Sequence, residues 1–472
     1  MTTLITGGTV VNATGRGAAD VLIDGETIVA LLAPGSTLLG SDLAHSVDRV
    51  IDATGKYVIP GGIDAHTHME MPFGGTFASD TFESGTTAAA WGGTTTIVDF
   101  VVQYPDENPL TQFALWQDKA AGNCAIDYAF HQILSDVQDS SLQAMDELIA
   151  EGVTSFKLFM AYKGVFLSDD GQILRAMQKA SDNGAMIMMH AENGSVIDTL
   201  VQQHLARGET APYYHGVSRP WQAEAEATHR AIMLADLTGA PLYIVHVSAK
   251  QAAEQIAVAR DRGQNVFGET CPQYLYLSLE EHLGAPGFEG AKWVCSTPLR
   301  SKHEGHQHQM WNSLRTNDLQ LVSTDHCPFC MKDQKDMGIG DFSKIPNGIG
   351  SVEHRMDLLY QGVVTGEITL ERWVEICCTT PARMFGMYGK KGVLAPGADA
   401  DVVIYDPNGH TSIGLGKTHH MAMDYSAWEG FEIDGHVDTV LSRGQVVVDG
   451  GAFHGRAGHG RYVPRALSQY LI

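Results

Sequence analysis

The residues best suited to chemistry are His66-Thr67-His68, which end the short apolar stretch Tyr57-Val-Ile-Pro-Gly-Gly-Ile-Asp. Two histidines at i and i+2 of a strand project to one face, so both imidazoles can reach one metal ion. A His-x-His pair alone carries little weight, because an exposed strand presents the same spacing as a solvated pair. The rest of the chain adds weight. Lys157, His190, His246 and Asp325 close the runs Thr154-Ser-Phe-Lys, Ala185-Met-Ile-Met-Met-His, Leu242-Tyr-Ile-Val-His and Leu319-Gln-Leu-Val-Ser-Thr-Asp. Groups of metal-ligand type recur where buried strands should end.

Four histidines, a lysine and an aspartate exceed what one tetrahedral zinc takes. They suit two divalent ions sharing a bridging hydroxide. The lysine is the odd member, since a protonated ammonium repels cations and offers no lone pair. Carboxylation of its amine by carbon dioxide would give an anionic carbamate with one oxygen for each metal. The plainer alternative is a lysine paired with a carboxylate.

Positioning such a set needs many strands ending on one side. Between about residues 60 and 330, strand-like runs end near His68, Phe100, Leu134, Phe159, Glu192, Ser248, Thr270 and His326, mostly with helical stretches between them. One such stretch, Ser218 to Gly239, begins with a capping serine and an early proline and ends on glycine. Eight alternating units predict an α/β chain folded as a (β/α)8 barrel, whose chemistry sits at the carboxyl ends of its strands. Both ends of the chain instead read as short strands and turns, with Asp24-Gly25 as a hairpin signal. The expected organisation is a small β-sandwich built from both termini, residues 1–57 and 395–472, around a catalytic barrel over 58–394.

Composition excludes several classes. A net charge of −24 argues against nucleic acid and anionic membranes. No apolar run approaches the roughly 20 residues that span a bilayer. The N-terminus lacks the basic region and long apolar core of a signal peptide, so the cytoplasm is expected. Seven cysteines in a long chain do not suggest a disulfide framework. Cys327-Pro-Phe-Cys330 matches Cys-x-x-Cys, but it follows a strand end rather than opening a helix, so inert thiols are expected. The histidine-rich stretch Ser301 to Gln309 reads as a solvated polar loop.

Several motifs carry a resemblance: Pro60-Gly-Gly-Ile-Asp-Ala-His-Thr-His-Met-Glu-Met-Pro-Phe-Gly-Gly, Thr154-Ser-Phe-Lys-Leu-Phe-Met-Ala-Tyr-Lys-Gly, His190-Ala-Glu-Asn-Gly, His246-Val-Ser and Ser323-Thr-Asp-His-Cys-Pro-Phe. In these segments, and from about residue 4 to 460, the chain resembles the dihydropyrimidinase/hydantoinase family of cyclic amidohydrolases. The resemblance implies a binuclear metal hydrolase, usually with zinc. It opens 5,6-dihydropyrimidines or hydantoins to N-carbamoyl amino acids, and a homotetramer is implied as well. His66 and His68 match ligands to one metal, His190 and His246 ligands to the other, and Lys157 the carboxylated bridging lysine. Asp325 matches the aspartate that ligates and accepts the proton of the attacking water. Tyr162 matches the donor to the carbonyl under attack. Ser296 and Asn347 match positions whose main-chain groups hold the cyclic ureide or imide edge of the substrate. Phe159, Phe166 and Met71-Pro-Phe match the apolar loops around its exocyclic group.

Two neighbouring readings share the fold. Dihydroorotases and allantoinases typically carry an arginine shortly after His-x-His. This chain has Met69-Glu-Met-Pro-Phe-Gly-Gly there and no cation before Lys119, which favours a neutral ring with an apolar substituent. Collapsin response mediator proteins are non-enzymatic scaffolds lacking the full ligand set. All six ligand positions and the tyrosine are kept here, which favours an enzyme.

Overall fold

The computed structural model describes residues 1–38, 41–42 and 46–471. Eight parallel strands follow in chain order: β1 Gly62–Thr67, β2 Thr94–Val101, β3 Asp127–Ile133, β4 Ser155–Phe159, β5 Met186–His190, β6 Leu242–Ile244, β7 Val266–Thr270 and β8 Leu321–Val322. Each pairs with the next. A parallel bridge between Thr67 and His326 brings the first strand against the segment after the last, nearly closing the barrel. Every residue of β2 and of β3 is buried, as expected for parallel strands covered on both faces.

Helices connect the strands, among them Phe82–Trp91, Pro109–Ala120, Asp139–Ala150, Asp170–Asn183 and Lys250–Asp261. The helix read from Ser218 is Trp221–Thr238, and it ends as expected on Gly239 in the left-handed region (φ 72°). Its start differs. Pro220 holds the N-cap position with no side-chain cap, while Ser218 closes the preceding helix Tyr213–Val217 and donates to the His215 carbonyl at 3.1 Å. Pro220 restrains Arg219 from helical geometry, so no helix starts before it.

Two strands stop short of the expected ends. β6 ends at Ile244 rather than near Ser248, and β8 at Val322 rather than near His326. His246 (φ 40°) and Asp325 (φ 51°) leave the extended conformation and break the ladder. The histidine-rich stretch is not all solvated loop either. His306 opens the helix His306–Thr316 and is 1% exposed, accepting the Lys250 N–H at 3.0 Å and facing Glu304 at 2.9 Å.

The termini build two further sheets. Strands Thr2–Thr6, Asp20–Asp24, Thr27–Leu32 and Arg49–Asp52 make one. The two-residue turn after Asp24 places Gly25 at φ 59°, which glycine adopts without penalty. The other sheet, of seven strands, combines both ends of the chain: Tyr57–Pro60 pairs with Thr9–Val10 on one side and with Val402–Tyr405 on the other. Ile5, Val21, Ile23, Val58, Val402 and Ile404 belong to one shared apolar cluster. Tyr57–Pro60 runs almost directly into β1, so the strand carrying the first two histidines is anchored in this sheet at its start.

Candidate active site

The carboxyl ends of the strands bring all six ligand-type residues together. His66 is the last but one residue of β1, Lys157 is central in β4, and His190 ends β5. His246 and Asp325 follow β6 and β8 in the left-handed region, as does Tyr162 after β4 (φ 64°). Three of the eight non-glycine residues with positive φ among the described residues therefore lie in one site. Such backbone costs on the order of 1–3 kcal/mol each and persists where surrounding packing dictates it.

The hydrogen bonds fix which nitrogens remain free. His66 Nδ1 lies 2.5 Å from Glu269 Oε1, a carboxylate oxygen that can only accept, so the proton sits on Nδ1. The lone pair of His66 Nε2 then faces Lys157 Nζ at 2.9 Å, Asp325 Oδ1 at 3.1 Å and His68 Nε2 at 3.2 Å. His68 Nε2 in turn lies 3.2 Å from the same carboxylate oxygen. The second cluster repeats the pattern. His190 Nε2 meets Glu192 Oε2 at 2.8 Å, leaving the Nδ1 lone pair against His246 Nε2 at 2.9 Å. His68 Nδ1 and His246 Nδ1 are buried without a partner.

Histidine ligands whose other nitrogen donates to a carboxylate are the usual outer-sphere arrangement of a metal centre. His66, His68 and Asp325 place one ligand atom each within 4.8 Å of one another. The donor set therefore fits divalent metal, with His190 and His246 as a second pair.

Electrostatics separate His66 from the other three rings. Burial and Lys157 would depress the His66 imidazole, yet Asp325 and Glu269 overcome them and raise its pKa. Burial pushes His68 down to about 3 and lowers His190 and His246 as well, keeping these rings neutral. For Asp325, burial raises the carboxyl, but His66, His68 and His246 hold it well below the usual range. Lys157 is buried, with the Phe100 and Phe159 rings 4.4 and 4.9 Å from its nitrogen, and burial brings its pKa down to about 8. An amine so placed is substantially neutral near pH 8.

Above this cluster is a small cavity walled by Met71, Phe73, Phe159, Phe166, Cys327 and Tyr162. The Asn347 amide donates to the Tyr162 hydroxyl at 3.3 Å and to Ser296 Oγ at 3.1 Å. Burial raises Tyr162 to about 12, so it stays a protonated donor. The cavity opens into an outer vestibule of about 870 Å³ lined by Phe73, Tyr104, Lys163 and Arg219 among others.

Sequence reading missed several of these residues. Glu269 also ends a strand, and the rule that found His190 would have found it. Glu192 repeats the i, i+2 spacing of His66 and His68. Arg219 could not be read, because it approaches from a distant segment, pairing with Glu192 at 3.1 Å and lying 5.9 Å from the Tyr162 ring. Among the described residues no arginine lines the inner cavity, but Arg219 lines the vestibule. Cys327 and Cys330 are free thiols, both raised first by burial.

The amidohydrolase family pattern matches residues 57–447. A D-hydantoinase of Streptomyces coelicolor is 61% identical over 469 residues, covering 99% of both chains. A D-hydantoinase of Geobacillus stearothermophilus is 50% identical, over 99% of this chain and 97% of its own. The chain belongs to the amidohydrolase family, on its D-hydantoinase and dihydropyrimidinase branch. The crystal structure of a dihydropyrimidinase from Brevibacillus agri superposes with a TM-score of 0.95 at 48% identity, covering 99% of each chain. This amidohydrolase thus shares its barrel and terminal sheets with solved members of the branch. Among the described residues no helix is long and apolar enough to cross a membrane.

Proposed function

We propose that this amidohydrolase opens the cyclic amide of 5,6-dihydropyrimidines and 5-substituted hydantoins to N-carbamoyl amino acids. The observation that carries the reading is the convergence of four histidine nitrogens and the Asp325 carboxylate beneath a small aromatic cavity holding a tyrosine donor. In it His66 and His68 would hold one divalent ion and His190 and His246 another, with Asp325 and Lys157, carboxylated by carbon dioxide, completing the ligand set. When bound, the ions, zinc in this reading, supply a water of lowered pKa and polarise the carbonyl.

The protein's own groups do the rest. Asp325, kept ionised by the surrounding histidines, accepts the proton of the attacking water and passes it to the departing ring nitrogen. Tyr162, held at its hydroxyl by Asn347, donates to the carbonyl oxygen as negative charge develops there. Main-chain groups at Ser296 and Asn347 orient the ureide edge. Phe159, Phe166 and Phe73 receive the substituent by burial, each methylene contributing roughly 0.8 kcal/mol at best. The reading carries with it a cytoplasmic homotetramer.

The test is kcat/KM for dihydrouracil, hydantoin, 5-benzylhydantoin, allantoin and dihydroorotate with one metal. Dihydrouracil and the hydantoins should lead. Dihydroorotate should trail, because its carboxylate would lose water against the apolar wall of Phe73, Phe159 and Phe166, which offers it no arginine. Dihydroorotate or allantoin as the best substrate would move the assignment to a neighbouring branch.

A further inference from the structure

Lys335 is 0% exposed, yet among the described residues no carboxylate is its partner. Its ammonium donates instead to two main-chain carbonyls, Val294 at 3.1 Å and Pro346 at 3.2 Å. Those carbonyls belong to the segments that carry Ser296 and Asn347 toward the substrate cavity. The Gly348 N–H also donates to Val294 O at 2.9 Å, so the two segments are joined on both sides of Asn347. Gly348 packs so closely that a Cβ there would lie 1.9 Å from the Cys327 carbonyl oxygen, which leaves no room for a larger residue.

The neighbouring residue extends the tie. Gln334 accepts the Cys330 N–H at 2.6 Å and donates to Thr76 Oγ1 at 3.0 Å and to the Phe77 carbonyl at 2.7 Å, in the loop that follows Phe73. The turn at residues 330–335 follows Asp325 closely in the chain and so touches three substrate-facing segments at once. A cation buried without an anion is costly, and burial lowers the Lys335 pKa to about 7. Apolar packing would fill the same space at less cost. What only a long, multiply donating side chain supplies here is a bridge between two carbonyls from different segments.

We propose that Lys335 is a positioning residue, locking the Ser296 and Asn347 segments at the separation the substrate ring needs. The inference rests on the ring-opening reading above. Wild-type turnover tests that reading, and the variants test the lock.

In metal-loaded enzyme, Lys335→Met and Lys335→Gln should lower kcat/KM for hydantoin and dihydrouracil by roughly 10²-fold. The loss should fall on KM, with kcat and metal content close to wild type. Lys335→Arg, which keeps several donors, should recover most of it. A folded Lys335→Met or Lys335→Gln with KM within about twofold of wild type would show that the lysine serves stability alone and overturn the proposal. If neither variant folds, hydrogen exchange on the wild-type protein decides. Amides of 294–297 and of 347–348 should open together, and independent fast opening of either segment would overturn the lock.

Discussion

Two buried polar clusters sit at opposite ends of the barrel strands, and they are built on different rules. At the carboxyl ends, histidine nitrogens, the Lys157 amine and an aspartate oxygen converge at 2.9–3.2 Å, while the second nitrogens of His68 and His246 are left without a partner. At the start of β3, Asp127 meets Lys391 Nζ at 2.6 Å and Arg443 Nε at 3.0 Å, while Lys391 also reaches Asp401 at 2.7 Å and Asp399 at 3.0 Å. There every acceptor has a donor. The second cluster is complete with protein atoms and ties a barrel strand to the terminal sheets, whereas the first leaves two buried histidine nitrogens unpaired and gathers the ligand atoms that a cation takes. Both clusters are largely buried, so burial alone does not mark a functional site. What marks it is a convergence of metal-ligand atoms beside unpaired nitrogens.

The comparison breaks most visibly at Lys157. In the proposed site its carbamate would be a ligand to both ions, so Lys157→Ala should lose metal and bring turnover to background. Short carboxylic acids added with metal should restore part of the activity. Metal analysis alongside rates checks this, and a plain ammonium at Lys157 in active, fully loaded protein would contradict it.

Substitutions that leave the four histidines and Lys157 in place should separate binding from chemistry. Asp325→Asn should keep much of its metal and lose roughly 10²–10⁴ in kcat, the usual worth of a general acid–base group. Tyr162→Phe should load metal normally and lose about 10²–10³, the cost of one oxyanion donor. Because Tyr162 also accepts from Asn347, its variant needs KM as well as kcat. Turnover at the wild-type rate in Tyr162→Phe would remove the hydroxyl from the mechanism.

Much of this was readable from the sequence because strands end in the same way each time. His66, His68, Lys157, His190, His246 and Asp325 each close an apolar run, and the alternation of such runs with helical stretches marks the barrel. Legibility failed where geometry departs from the period. Positive φ at His246 and Asp325 shortens β6 and β8, and no side-chain pattern announces it. Pro220 overrides the capping preference of Ser218. Partners from distant segments, such as Arg219 on Glu192 or Lys335 on Val294, leave no local pattern, since their spacing in the chain carries no period.

The smallest effect on turnover should come from the self-satisfied cluster. Lys391→Met leaves Asp401 without its ammonium partner and Asp127 with only its Arg443 and main-chain bonds. Breaking a buried pair costs about 3–5 kcal/mol. Metal content and kcat should not change, because the cluster touches β3 at the end away from the site. Burial would lower the Lys391 pKa, but Asp401, Asp127 and Asp399 overcome it and raise it above the ordinary lysine value of 10.5. A raised folded pKa gives stability that is full below the unfolded value and is lost only as pH rises through the folded one. The stability gap between wild type and Lys391→Met should therefore stay level from about pH 7 to about pH 10 in chemical denaturation. A gap that closes well below pH 10 would mean that the lysine is neutral in the fold, and a fall in kcat at full stability would mean that the two ends of the barrel are coupled after all.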